Sequence, residues 1–194
     1  LLFSDMNDHW ARFTAGRLAL RHLIQGYEDG TFQPDKRISK GEFAAMFARI
    51  FASTDQIVAL PEVTGFDLCS KEHWARPYLN YMATLGLIPP ADESWKADVP
   101  CTRLDAVLCM WKRAGQPAAA TGVGASSADS ATAGLEPQAR ASVEWALSQG
   151  ILRGYPDGTL RLAEPVSRAE TAEILSRYLV AYLASQTAQA PGAR

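Results

Sequence analysis

Two short stretches, GYEDGTF at residues 26–32 and GYPDGTL at residues 154–160, write nearly the same seven residues 128 positions apart. In each, Asp-Gly supplies a tight turn whose glycine can take a positive φ. The last residue, Phe32 or Leu160, turns an apolar side chain inward. Either the turn is a local device used twice or it belongs to a longer repeating unit, and the flanking sequence decides. Residues 8–27, DHWARFTAGRLALRHLIQGY, form a helical pattern predicted to stop at Gly26, and Gly154 is read the same way. Residues 72–88, EHWARPYLNYMATLGLI, copy that pattern, with His73-Trp74-Ala75 matching His9-Trp10-Ala11 at an offset of 64. Residues 139–155, ARASVEWALSQGILRGY, are a third copy without the His-Trp start.

A second helix signal follows each copy. Ser39-Lys40-Gly41-Glu42, Thr102-Arg103-Leu104-Asp105 and Ser167-Arg168-Ala169-Glu170 are spaced by 63 and 65 residues. Ser or Thr followed three residues later by Glu is a capping box: the hydroxyl accepts a first-turn amide and the carboxylate reaches back to the cap's own amide. Asp105 is a shorter, weaker version. The apolar runs behind the boxes (FAAMFARIF, AVLCMW and TAEILSRYLVAYL) have helical spacing and should form buried stripes. Three copies at a near-constant period define a repeated helix–turn–helix unit.

Composition narrows the function. The chain has 194 residues, 47% hydrophobic and 21% charged, with a formal net charge of −2. It is long enough to bury a core, and the charge gives no support for nucleic-acid binding. No apolar run approaches the ~20 residues that span a bilayer. The chain opens without an initiator Met, which reads as a piece of a larger protein with any export signal outside it. Three cysteines, Cys69, Cys101 and Cys109, argue against a disulfide scaffold. Cys101 and Cys109 would stand roughly 12 Å apart along one helix, too far to bridge. Cys69 and His73 could form a metal corner, but no second pair has ligand spacing. No Ser-His-Asp or paired-carboxylate pattern suggests catalysis, and no metal or cofactor is expected.

The ordered motifs F-x-D, HWA, GYxDGTF-x-P and [ST]-R-x-E resemble the S-layer homology module, which usually occurs three in tandem. The first repeat holds Phe3, Asp5, His9, Trp10, Gly26, Tyr27, Asp29, Gly30, Phe32, Pro34 and Glu42, with Lys40 where the family usually has arginine. The second keeps Phe66, Asp67, His73, Trp74 and Arg103 but has PPADESW at 89–95 in place of the Gly-Tyr turn. The third keeps Gly154, Tyr155, Asp157, Gly158, Arg168 and Glu170 and lacks the Phe-x-Asp and His-Trp start. The division is repeat one at 1–55, repeat two at 63–114, an Ala/Gly/Ser-rich insert at 115–134, repeat three at 135–184 and a fraying tail at 185–194. The insert lacks the bulk to pack a core and reads as a flexible surface loop or linker.

The resemblance implies a mainly α fold: three helix–turn–helix pseudo-repeats, each with a short extended piece, form a three-pronged spindle around a central three-helix bundle. The repeats fold together as one monomeric pseudo-trimer. It also implies an extracellular protein at the bacterial cell surface, cell wall or S-layer. Its ligand there is secondary cell wall polysaccharide, preferentially N-acetylmannosamine bearing a pyruvate ketal. The chemistry suits the residues: an arginine fork fits the ketal carboxylate, a tryptophan covers the apolar sugar face, and glycine allows close approach. Trp10 and Trp74 can serve either packing or ligand contact, and the ligand reading is taken. Lys40, Arg103 and Arg168 sit in a first helical turn, unfavourable for a cation against the macrodipole, which also points to a ligand.

In the family's arrangement each groove joins the turn and cation of one repeat to the aromatic start of the next. Groove one would use Gly26, Lys40 and Trp74; groove two, Pro90, Arg103 and the start of repeat three, where no Trp occurs; groove three, Gly154, Arg168, Asp5 and Trp10. Tyr27, Tyr155 and Asp67 complete the candidate ligand-binding set. Groove three is then expected to bind best and groove two worst. The alternative function is a degenerate trimer that serves as a protein-interaction or peptidoglycan-binding scaffold. An enzyme is a distant third.

Overall fold

The structure, a computed structural model, describes residues 2–120 and 131–189. Its helices are α1 (Arg12–Leu20), α2 (Lys40–Ala48), α3 (Thr54–Val58), α4 (Arg76–Thr84), α5 (Arg103–Arg113), α6 (Pro137–Ser148) and α7 (Arg168–Gln189). A 3-10 turn spans Glu93–Trp95, and the described residues contain no strand. The fold is mainly α, as the helical spacing predicts.

The capping boxes start α2, α5 and α7. Ser39 Oγ accepts from Glu42 N at 3.2 Å while Glu42 takes Ser39 N at 2.9 Å. Ser167 and Glu170 repeat this at 3.1 and 2.8 Å. The shorter Asp105 closes its box with Thr102 just as completely, at 3.1 and 2.9 Å.

The first helix of each repeat stops earlier than its pattern predicts. α1 ends at Leu20 and α6 at Ser148, so Gly26 and Gly154 are not helix stops. The breaks come from left-handed residues: His22 (φ 59°), Gly86 (φ 69°) and Gly150 (φ 67°). After each, an amide donates back to a carbonyl in the last helical turn: Leu23 to Leu18, Leu87 to Met82 and Ile151 to Ala146, at 2.9–3.0 Å. This is the Schellman arrangement, which satisfies carbonyls the helix leaves orphaned.

Backbone hydrogen bonds close the three units into a ring. Cys101 N donates to Ile38 O at 3.0 Å, Val166 N to Cys101 O at 2.9 Å, and Ile38 N to Val166 O at 3.0 Å. All three side chains are buried. One residue into each helix, Lys40 N bonds Val99 O, Arg103 N bonds Glu164 O and Arg168 N bonds Lys36 O. From this ring run α2, α5 and α7. At the other end Phe47 and Tyr178 lie 6.0 Å apart, Phe51 and Tyr182 5.4 Å, and the Arg113 guanidinium sits 4.5 Å over Phe51. These three helices form the centre. Each first helix packs on the central helix of the unit before it: α4 on α2, α6 on α5, and α1 on α7.

The middle of the insert, residues 121–130, lies outside the described residues. Its flanks are attached to the fold: Trp111 Nε1 donates to Pro117 O at 2.9 Å, Ala120 N to Ser148 Oγ at 3.2 Å, and Thr132 is fully buried.

Candidate functional site

The seven-residue turn is held by its own aspartate. Asp29 Oδ1 accepts from Thr31 N at 2.9 Å and Thr31 Oγ1 at 2.7 Å, and Asp157 does the same with Thr159 at the same distances. These hydrogen bonds hold both carboxyls below the usual range. In the middle unit Asp92 Oδ1 accepts from Ser94 N at 2.8 Å, so PPADESW keeps the aspartate clamp. The chain there, however, forms the 3-10 turn Glu93–Trp95, with no left-handed residue where Gly30 and Gly158 stand. Tyr27 N and Tyr155 N each bond the Thr carbonyl four residues on, and Gly30 N and Gly158 N each bond the Tyr carbonyl. Among the described residues the middle unit has neither bond, and Pro90 has no N–H to offer.

Each first-turn cation reaches the turn of the following unit. Arg168 donates from Nε to Phe32 O and from Nη2 to Gln25 O, both at 2.7 Å. Arg103 bonds Leu160 O at 2.8 Å and Arg153 O at 2.9 Å. Lys40 Nζ donates to Ser94 O, sits 4.6 Å over the Trp95 ring and pairs with Asp105 at 3.3 Å. All three are at least 93% buried, and burial pulls the Arg168 pKa below its ordinary value. Side chains in a first turn lean toward the helix N-terminus, and there the neighbouring unit's turn is waiting.

Two grooves result. One, of about 480 Å³, is lined by Trp10, Arg103, Gly154, Tyr155, Glu170 and Arg177 among others. The second, of about 310 Å³, is lined by the residues at the corresponding positions: Trp74, Arg168, Gly26, Tyr27, Glu42 and Arg49. The grooves differ where Arg153 replaces Gln25, Glu173 replaces Ala45 and Ile174 replaces Met46. Trp10 and Trp74 are 61% and 54% exposed, far more than core tryptophans. Their His neighbours hold the helix starts: His9 Nδ1 accepts from Ala11 N, and His73 Nδ1 from Ala75 N, both at 3.1 Å. Tyr155 hydrogen-bonds Glu170, and the Tyr27 hydroxyl lies 3.4 Å from Glu42 and accepts from Lys36 at 2.9 Å.

The expected groupings therefore need correction. Gly26, Tyr27 and Trp74 do come together, but with Arg168 in place of Lys40. Gly154, Tyr155 and Trp10 do come together, but with Arg103 in place of Arg168. The ranking that followed from Lys40 in groove one falls with its premise. The cation of the middle unit's turn is Lys40, and the position matching Trp10 and Trp74 there is Gln138. Asp5 and Asp67 do not line either groove. Asp5 clamps the turn of its own unit, accepting from Phe32 N at 2.8 Å and Gln33 N at 2.7 Å. Asp67 pairs with Lys96 at 3.1 Å. Sequence reasoning missed Arg49 and Arg177. Each follows a capping glutamate by seven residues, two helical turns, so cap and cation share a face.

Among the described residues no His, Cys, Asp or Glu cluster could hold a metal ion, and no helix is long and apolar enough to cross a membrane. The three cysteines are free thiols, and burial raises the pKa of Cys101 and Cys109.

The family model described as "S-layer homology domain" matches residues 2–44 and 135–172. The chain is 25% identical to a cellulosome-anchoring protein of Acetivibrio thermocellus, over 81% of this chain and 35% of that protein. It is also 25% identical to cell surface glycoprotein 1 of the same organism, over 82% of this chain and 7% of that one. A third relative, an amylopullulanase of Thermoanaerobacterium thermosulfurigenes, is 35% identical over 28% of this chain and 3% of its own length. The chain thus spans about a third or less of these curated relatives. Anchoring and surface proteins stand beside enzymes among them.

Proposed function

We propose that the chain, a member of the S-layer homology family and a cell-surface, cell-wall-associated protein, anchors non-covalently by binding an acidic wall polysaccharide in the Trp10 and Trp74 grooves. The observation that carries this reading is the pairing, twice over, of an exposed tryptophan with a buried arginine whose guanidinium is fixed by two backbone carbonyls. A flat ring covers the apolar face of a sugar, and a pre-organised guanidinium receives a carboxylate such as a pyruvate ketal. Tyr27 and Tyr155, beside the close-approach glycines Gly26 and Gly154, frame the same space. The chain itself performs no catalysis in this reading.

We read residues 1–55, 63–114 and 135–184 as three repeats of one monomeric unit, the middle one degenerate. In support, the capping boxes, Schellman breaks and aspartate-held turns recur in all three spans. Lys40, enclosed by Trp95 and Asp105, acts as a packing cation in that middle groove. The test is sedimentation with purified cell walls before and after the polysaccharide is stripped chemically. Binding that survives stripping would favour the scaffold alternative instead.

A further inference from the structure

The Trp74 groove has a neighbour that the Trp10 groove lacks. A second cavity, of about 470 Å³, shares Gln25 and Arg49 with it and is also lined by Arg21, His22, Ser53 and Gln56. Its existence follows from chain path: α2 ends at Ala48 and the chain turns into α3 at Thr54, leaving a hollow beside the end of α1. On the other side α7 runs on to Gln189, and the residues matching Arg21 and His22 are Gln149 and Gly150. So neither the space nor the charge is reproduced.

The charge in this hollow is uncompensated. The side chains of Arg21 and His22 form no hydrogen bond or ion pair with the described residues. Arg49 donates from Nη2 to Tyr78 Oη at 2.8 Å, while its Nε is buried without a partner. A buried donor left unmade costs stability and calls for an explanation. Its counterpart Arg177 has a carboxylate, Glu173, at 3.0 Å; at that place in the Trp74 groove stands Ala45.

We propose, resting on the polysaccharide reading above, that this cavity is a second anionic subsite: it takes the next sugar of the glycan, carrying its own acidic group, held by Arg21, His22 and Arg49. The Trp74 groove then reads two acidic residues in sequence, and the Trp10 groove reads one. The two grooves are different receptors on one fold.

The test uses the Trp10→Ala chain, in which the Trp74 groove alone remains, and two kinds of probe. One is the methyl glycoside of pyruvylated N-acetylmannosamine; the other is a pair of disaccharides in which glucuronic acid extends that unit on either side. By calorimetry one disaccharide should bind roughly ten- to a hundredfold more tightly than the monosaccharide, the gain expected of a charge-assisted contact. Arg21→Gln should erase that gain, and the Trp74→Ala chain should show none. Equal affinities, a gain that survives Arg21→Gln, or a Trp10→Ala chain that binds nothing would each overturn the second subsite. Failure of every probe to bind the unsubstituted chain would instead overturn the polysaccharide reading itself.

Discussion

Arg168 Nε donates to the carbonyl of Phe32, 136 residues earlier in the chain, at 2.7 Å. That bond belongs to the last unit's closure on the first, and it makes a groove arginine a structural one too. Removing it should therefore affect stability and binding together. Arg168→Ala strands the Phe32 and Gln25 carbonyls, and we expect a loss of roughly 3 kcal/mol in denaturant unfolding. Arg103→Ala should cost about as much. Lysine at either place reaches one carbonyl but not both and should fall between. If Arg168→Ala unfolds at the parent midpoint, the closure is not a stabilising element.

The two turn glycines should respond unequally. A Cβ at Gly26 would meet Phe3 Cε1 at 2.5 Å and Thr31 O at 2.7 Å; at Gly154 the nearest atom is Thr159 O at 3.4 Å. Gly26→Ala should lose about 1–3 kcal/mol through overpacking, and Gly154→Ala should stay within about 0.5 kcal/mol of the parent. Equal losses in thermal melts would mean that the glycines serve one common purpose.

His22 holds φ 59°, where the other two units have glycine. A non-glycine residue in the left-handed region costs roughly 1–2 kcal/mol, so His22→Gly should raise the unfolding free energy by about 1 kcal/mol. A destabilised variant would show that the imidazole contributes more to the fold than its backbone costs.

The period, the capping boxes and the all-helical fold were legible because each rests on local chemistry: hydroxyl and carboxylate three residues apart, glycine where a turn needs it. The helix end at Gly26 was not legible because the left-handed stop of repeat one is a histidine, His22, which carries no such signal. In repeat three the stop is Gly150, four residues before Gly154, and two nearby glycines compete for one role. The groove composition was misread for a different reason. Lys40, Arg103 and Arg168 are at equivalent positions, but which turn each reaches depends on how the units close, a long-range property. Arg49 and Arg177 were readable from their seven-residue spacing behind Glu42 and Glu170, and the signal was passed over.

Acid should loosen the turns. The carboxyls of Asp29, Asp92 and Asp157 are lowered by hydrogen bonds from Thr31, Ser94 and Thr159. A carboxyl depressed in the folded state adds stability above its unfolded pKa near 4 and loses it as pH falls through the folded value. Unfolding midpoints should therefore drop below about pH 4. Asparagine at all three positions keeps the acceptor without the titration and should flatten that part of the profile; an unchanged slope would place the acid sensitivity elsewhere.

Two complete grooves form, each from parts of all three units, while at the middle turn Lys40 packs against Trp95 and Asp105. Calorimetric stoichiometry with pyruvylated N-acetylmannosamine counts the grooves that bind. Two sites are expected on the unsubstituted chain, one each for Trp10→Ala and Trp74→Ala, none for the double variant, and melting temperatures close to the parent because both rings are exposed. Three sites, or a double variant that still binds, would contradict that count.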